Sequence, residues 1–149
     1  MKTAVIFDMD GTLADVSSIR HYLKPNINHG KDFDRFHMES VNVPPHDYVV
    51  NAAQVAYILG HSILIVTARK HMWRDQTAWW LAMNRVPSDM LMMRGNNDHR
   101  KDYEVKKDML NTIRKAYNVI HAWDDNPNII KLWEENGIPT TIVPGWEKD

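Results

Sequence analysis

The 149-residue sequence contains no cysteine. Disulfides, thiolate metal sites and cysteine nucleophiles are thereby excluded, which fits a reducing compartment such as the cytoplasm. An excess of one charge is missing too: 18 Lys plus Arg stand against 19 Asp plus Glu, a formal net charge of −1. Without a global basic field, nucleic-acid binding needs a local patch or a short end. No apolar run approaches the roughly 18 residues of a membrane span, and Asp8 and Asp10 interrupt the N-terminal apolar stretch before it takes signal-peptide form. The expectation is a soluble, unexported cytoplasmic chain with no membrane partner. Hydrophobic residues at 44% and charged residues at 25% are ordinary for a globular protein, and the length suits one domain with a real core.

The β-branched, aromatic and small-residue run at residues 3–7 fits a buried strand, and it opens into Asp8, Met9, Asp10, Gly11 and Thr12. Alternate strand residues share a face, so Asp8 and Asp10 converge if extended geometry lasts two residues past the run. Gly11 then permits a sharp turn. Close carboxylates repel and raise one another's pKa unless a cation lies between them. This arrangement therefore calls for a hard divalent metal with oxygen ligands, most simply Mg²⁺. The plainer reading is two acids ending a strand because Asp favours turns.

Residues 13–46 show no sustained periodicity and carry Pro25, Asn26, Asn28, Gly30, Pro44, Pro45 and four histidines, His21, His29, His37 and His46. They read as an irregular insert over the mouth of the site, long enough to be functional or to hide short helices. None of the histidines has the paired spacing of a metal-ligand motif, so surface or packing roles are expected. Helical periodicity at 47–59, stopped by Gly60, leads to a continuous apolar strand at 62–67. A helix at 72–83, a third strand at 89–94, a helix from about 102 to 117 and a fourth strand at 119–123 follow. A helix from Pro127 to Glu135 and a fifth strand at 139–143 complete the chain.

Strands alternating with helices imply parallel βαβ units in a three-layer α/β sandwich, with the ligand site beyond the carboxyl ends of the strands. That rule gathers Asp8 and Asp10, Thr67 and Arg69, and Asp124 and Asp125, which are far apart in sequence. At 67–69 a hydroxyl and fresh backbone N–H groups suit phosphoryl oxygens, although Thr67 equally reads as a residue that ends a strand. Asp102 and Lys106, four apart at a helix start, read on spacing alone as a surface ion pair. Asp124 and Asp125 are adjacent, so a regular strand points them in divergent directions, and Asp-Asp-Asn-Pro also makes a turn and helix cap.

Asp-Met-Asp-Gly-Thr after an N-terminal apolar strand resembles motif I of the haloacid dehalogenase (HAD) superfamily of phosphohydrolases. Thr67, Lys106 and the acidic pair at 124 and 125 match its later motifs in order. Thr67-Ala68-Arg69, and Arg100-Lys101-Asp102 followed by three residues and Lys106, look like the phosphatase domain of bacteriophage polynucleotide kinase. The resemblance implies one HAD-like Rossmannoid α/β/α domain over residues 1–149, with a mainly parallel sheet and a small or absent cap. It implies a Mg²⁺-dependent phosphomonoesterase in which Asp8 attacks phosphorus and Asp10 acts as general acid and base, its backbone carbonyl also meeting the metal. Thr67, Ala68 and Arg69 would hold the phosphoryl group. Lys106 would neutralise it with Asp102 orienting that lysine, Lys101 and Lys107 being the other candidates. Asp124 and Asp125 would complete the metal site, one directly and the other through water or a lysine. Arg20 is the nearest counterpart, at a shifted spacing, of a substrate Arg that follows motif I. The implied substrate is a 3′-phosphate on a nucleotide or nucleic-acid end in repair. The alternatives are a small-metabolite or 5′-nucleotide phosphatase and, in another class, a non-catalytic phosphate-binding domain. No Gly-rich loop with Lys and Ser or Thr is present to support a P-loop kinase activity.

Overall fold

Alternate residues of two apolar strands build two cores. The computed structural model describes residues 1–24 and 31–146. In it, β1 (Lys2–Phe7), β2 (Ser62–Lys70), β3 (Met90–Arg94), β4 (Tyr117–Asp124) and β5 (Thr140–Ile142) form one sheet in the order β3-β2-β1-β4-β5. Every pairing in that sheet is parallel. Ala4 and Ile6 of β1, with Leu64 and Val66 of β2, face a core closed by Leu110 and Ile113 of α4 (Asp102–Ile113) and Leu132 and Trp133 of α5 (Pro127–Glu135). Val5, Phe7, Ile63 and Ile65 face the other core. That one is closed by Val50 and Ala53 of α2 (Asp47–Ile58) and by Trp80 and Leu81 of α3 (Arg74–Met83). Burial on both faces is why these strands read as continuous apolar runs. The result is the three-layer α/β/α sandwich that the alternation of elements predicts. Among the described residues, no helix is long and apolar enough to cross a membrane.

Three boundaries depart from the periodicity. The helix predicted to reach residue 117 stops at Ile113, because Tyr117 and Asn118 pair with Lys2 and Thr3 and so begin β4 early. Strand pairing outweighs a helical pattern there. β2 runs on past Thr67 to Lys70, where it rejoins β3 opposite Arg94. Before α3, residues His71–Trp73 form a 3₁₀ turn rather than the first turn of the helix.

The insert is closed at its base. The Asp15 N–H donates to the Pro44 carbonyl at 2.9 Å, and the His46 N–H to the Leu13 carbonyl at 2.8 Å. Its described residues include a 3₁₀ turn at Arg20–Leu23, α1 (Phe33–Glu39) and a second 3₁₀ turn at Ser40–Asn42. The Asp32 carboxylate caps α1 by accepting the Arg35 N–H at 3.0 Å. Elements of one or two turns are too short to leave a periodic signal. Pro25, Asn26, Asn28, His29 and Gly30 lie outside the described residues. Trp80 of α3 holds the insert's exit, its indole N–H donating to the Val43 carbonyl at 2.9 Å.

The strand order reverses between β1 and β4, and a crevice opens there beyond their carboxyl ends. Asp8 follows β1, and Asp124 ends β4.

Candidate active site

β1 ends at Phe7, although the Asp8 N–H continues the ladder by donating to the Trp123 carbonyl at 3.0 Å. The chain then turns through Gly11 at φ +81°. A Cβ at Gly11 would lie 2.1 Å from Asp125 Oδ2 and 2.8 Å from Arg20 Nη2, so both conformation and space require glycine there.

Under that turn, Asp8, Asp124 and Asp125 each offer a carboxylate oxygen within 4.8 Å of the others, and all three residues are buried. Lys106 reaches in from the first turns of α4, its Nζ 2.8 Å from Asp8 Oδ1 and 3.5 Å from Asp124 Oδ2. The Thr12 hydroxyl lies 3.2 Å from Asp8 Oδ2 and 3.1 Å from Asp125 Oδ1. With one proton to give, it serves one carboxylate at a time. Asp124 also accepts from the Trp133 indole N–H at 3.2 Å and the Asn126 N–H at 3.0 Å. Asp125 accepts from Arg20 Nη2 at 3.4 Å. Burial, reinforced by the charge of Asp8, pushes both Asp124 and Asp125 above the usual carboxylate range. Burial pulls Lys106 the other way, but Asp124 and Asp8 outweigh it and hold the ammonium protonated. Two adjacent acids can share one cluster because β4 ends at Asp124, which frees Asp125 from strand alternation. Such a nest holds more negative charge than its cations neutralise, and it could hold a metal ion.

Asp10 takes a different partner. Its carboxylate lies outside that cluster and receives Arg69 in a fork, Nε to Oδ2 at 2.9 Å and Nη2 to Oδ1 at 2.5 Å. Burial works to raise its pKa, but the Arg69 guanidinium wins and holds the carboxyl below the usual range. Arg69 is itself fixed, donating from Nη1 to Thr77 Oγ1 at 3.0 Å. Alternation would turn the Asp8 and Asp10 carboxylates to one face, but β1 stops at Phe7, and the Asp10 carboxylate faces Arg69 while that of Asp8 faces Asp124 and Asp125.

Thr67 is buried, and its hydroxyl oxygen accepts the Arg69 N–H at 3.2 Å. The Ala68 carbonyl accepts from Arg94 Nε at 2.9 Å. Arg94 also donates to the Asp98 and Arg100 carbonyls and, from Nη2, to Asp102 Oδ1 at 2.5 Å. Asp102 therefore pairs with Arg94 across the loop before α4, and Lys106 is held by Asp8 and Asp124 instead. Lys101 and Lys107 are exposed while Lys106 is buried, which separates the three lysine candidates. Arg20 reaches the same cavity in spite of its shifted spacing.

The cavity is about 470 Å³ and is lined by Asp8, Asp10, Thr67, Ala68, Arg69, Lys106 and Asp125 together with Phe36 and His37 of the insert. Residue patterning missed Arg94, Thr77, Trp133 and the bridging part of Thr12. Arg94 ends β3, so the rule of strand carboxyl ends would have found it; Trp133 carries no such signal.

Residues 2–144 match the family model of the polynucleotide kinase PNKP phosphatase domain. Over 142 residues the chain is 29% identical to a protein of Autographa californica nuclear polyhedrosis virus that bears the name bifunctional polynucleotide kinase/RNA ligase, covering 93% of this chain and 19% of that one. A chain in the structure of the Pnkp1/Rnl/Hen1 complex superposes with a TM-score of 0.81 at 26% identity, over 96% of this chain and 46% of that chain. This chain thus spans less than half the length of either relative. The class C acid phosphatase from Bacillus anthracis, with tungstate bound, shares the fold at a TM-score of 0.72 and 14% identity, over 96% of this chain and 66% of that one. The match along nearly the whole length shows that the chain belongs to the PNKP phosphatase-domain family of the HAD superfamily, a family of phosphoester hydrolases.

Proposed function

We propose that this chain is a Mg²⁺-dependent phosphomonoesterase that works through an aspartyl phosphate on Asp8 and clears 3′-phosphates from nucleotide or nucleic-acid ends. The observation that carries the reading is the buried nest of Asp8, Asp124 and Asp125 with Lys106 beside it, at the crevice between β1 and β4. Its donor set, all carboxylate oxygens in negative excess, suits a hard divalent cation. When bound, Mg²⁺ supplies positive charge to the phosphoryl oxygens.

In this mechanism an Asp8 oxygen attacks phosphorus in line while the bond from phosphorus to the leaving oxygen breaks. Asp10 gives the leaving oxygen its proton and then takes one from the water that hydrolyses the acyl phosphate. Because Asp10 begins in the Arg69 fork, it needs the phosphoryl group to draw the guanidinium away before it can carry a proton. Lys106, Arg69, the Thr67 hydroxyl and the backbone at Ala68 surround the phosphoryl oxygens and stabilise their charge. Arg20 is a further cation for the substrate, and Asp102 acts through Arg94.

The nucleic-acid substrate is supported by the family and by the relative named as a polynucleotide kinase/RNA ligase. Recognition of an end needs few phosphate contacts, so a net charge of −1 is no obstacle. The test is phosphate release from 3′- and 5′-phosphorylated oligonucleotides, a 3′-mononucleotide and a sugar phosphate, each with Mg²⁺ and with chelator. The expected result is Mg²⁺-dependent release that is fastest from 3′-ends. Preference for 5′-ends or sugar phosphates would replace the substrate reading, and release untouched by chelator would remove the metal.

A further inference from the structure

The insert brings two polar side chains to the cavity that the chemistry above leaves unused, Asp34 and His37, and of these the imidazole is the buried one. His37 of α1 is 9% exposed and lines the same cavity as Asp10 and Arg69. Its Nδ1 is enclosed and has no hydrogen-bond partner among the described residues. Aromatic rings hold the imidazole: Phe36 edge-on with centroids 5.2 Å apart, and Trp73 at 5.5 Å. An enclosed polar atom without a partner is costly, so it asks what completes the pairing.

The chemistry of the ring narrows the answer. Burial lowers the His37 pKa to about 4; Asp10 and Asp34 oppose the shift, and Arg69 and Lys70 add to it. The imidazole is therefore neutral near pH 7, with one donor and one acceptor. Phosphoryl oxygens are better served by Arg69 and Lys106. The complement of a neutral imidazole is a group that both donates and accepts, which a hydroxyl does.

Position narrows it further. The phosphoryl group belongs at the strand ends among Asp8, Thr67 and Lys106, so the organic part of the substrate extends toward the wall formed by the insert. Asp10, the proton donor to the leaving oxygen, lines the same cavity as His37. A group reached by this imidazole is therefore close to the leaving oxygen. On a 3′-phosphorylated ribose the neighbouring group is the 2′-hydroxyl.

We propose that His37 hydrogen-bonds the hydroxyl vicinal to the phosphorylated carbon, so that the site prefers 3′-phosphorylated ribose ends to 2′-deoxyribose ends. This inference rests on the 3′-phosphate reading above.

The test compares kcat/KM on two oligonucleotides that differ only at the terminal 3′-phosphorylated sugar, ribose or 2′-deoxyribose, for the wild type, His37→Phe and His37→Asn. The wild type is expected to favour the ribose end about tenfold. His37→Phe keeps an aromatic ring against Phe36 and Trp73 and brings the ratio close to one. His37→Asn sets an amide where Nδ1 was and restores part of the preference. A general loosening of the insert lowers both rates together and leaves the ratio alone. Equal wild-type rates on the two ends, or a ratio unchanged in His37→Phe, overturn the inference. The wild-type comparison stands even if the Phe variant does not fold. If neither 3′-end is dephosphorylated while 5′-ends or sugar phosphates are, the 3′ reading falls and takes this one with it. Efficient turnover of both 3′-ends without preference removes only the role of His37.

Discussion

Asp8 and Asp10 leave the same turn and enter opposite electrostatic settings. Asp8 joins two other buried carboxylates, and the positive charge beside the three comes from Lys106 and Arg20, with the Thr12 hydroxyl, the Trp133 indole and the Asn126 N–H as neutral donors. Asp10 meets one guanidinium in a complete fork. The first setting stores uncompensated negative charge, which is relieved by protons or by a cation that can come and go. The second is balanced, and it holds geometry until another anion competes for the arginine. One side of the cavity is thus built for exchange and the other for position.

The largest expected effect tests the exchange side at its attacking atom. Asp8→Asn keeps the shape of the side chain and removes both the proposed nucleophile and one of the crowded charges. Activity should fall by about a thousandfold or more while circular dichroism and thermal melting report a folded protein. Substantial turnover by this variant would reject Asp8 as the attacker.

Next come paired substitutions, one on each side. Lys106→Met leaves the three buried carboxylates with Arg20 as their one paired cation among the described residues, and breaking a buried ion pair in this way costs about 3–5 kcal/mol. Loss of its charge at the phosphoryl group should lower kcat by about a hundredfold to a thousandfold. Arg69→Lys keeps the charge and loses the fork, so a smaller drop of about tenfold is expected. Added Mg²⁺ should stabilise Lys106→Met more than it does the wild type, and Arg69→Lys, whose three-carboxylate nest is intact, only as much as the wild type. Equal rescue of the two would erase the distinction between the sides.

That contrast was only half legible beforehand. The strands could be read because Ile6, Ile65 and their neighbours are buried on both faces, and the carboxyl-end rule then brought Asp8, Thr67 and Asp124 to one crevice. Partnerships between side chains are a different matter, since they depend on where a turn leaves the strand. Asp10 looked like the twin of Asp8 under alternation, and the turn at Gly11 gave it to Arg69 instead. Asp102 and Lys106 have the spacing of an ion pair, yet Arg94 comes from β3 to claim the acid. α1 was invisible because two turns of helix produce no period, and with it the burial of His37.

The exchange side should also respond to pH and metal, with effects on stability rather than survival. Asp124 and Asp125 have folded pKa values raised above the ordinary 3.8, so the native state keeps protons that the unfolded chain gives up. Their burial is tolerated fully below that value, and stability is lost as pH rises through the raised range. In chelator the melting temperature should therefore decline from acid toward neutral pH. With Mg²⁺ the sign should reverse, because a cation bound as proposed would favour the ionised carboxylates and add about 2.7 kcal/mol at a hundred times its Kd. Asp125→Asn should flatten both trends; an unchanged slope would show that the surplus charge lies elsewhere.

The smallest effect is expected where family resemblance and geometry part. Motif spacing makes Asp102 the group that orients Lys106, whereas its carboxylate, half exposed, is 2.5 Å from Arg94. An ion pair so open to solvent contributes about 0.2–1 kcal/mol, so Asp102→Asn should cost about fivefold or less in kcat/KM. The loss should act through the loop that Arg94 pins, from Asp98 to Arg100, and leave the response of stability to Mg²⁺ unchanged. If Asp102→Asn instead matched Lys106→Met in both activity and metal rescue, the acid would be acting on the lysine after all. The balanced side would then extend across the cavity into the charged nest, and the division between exchange and position would not hold.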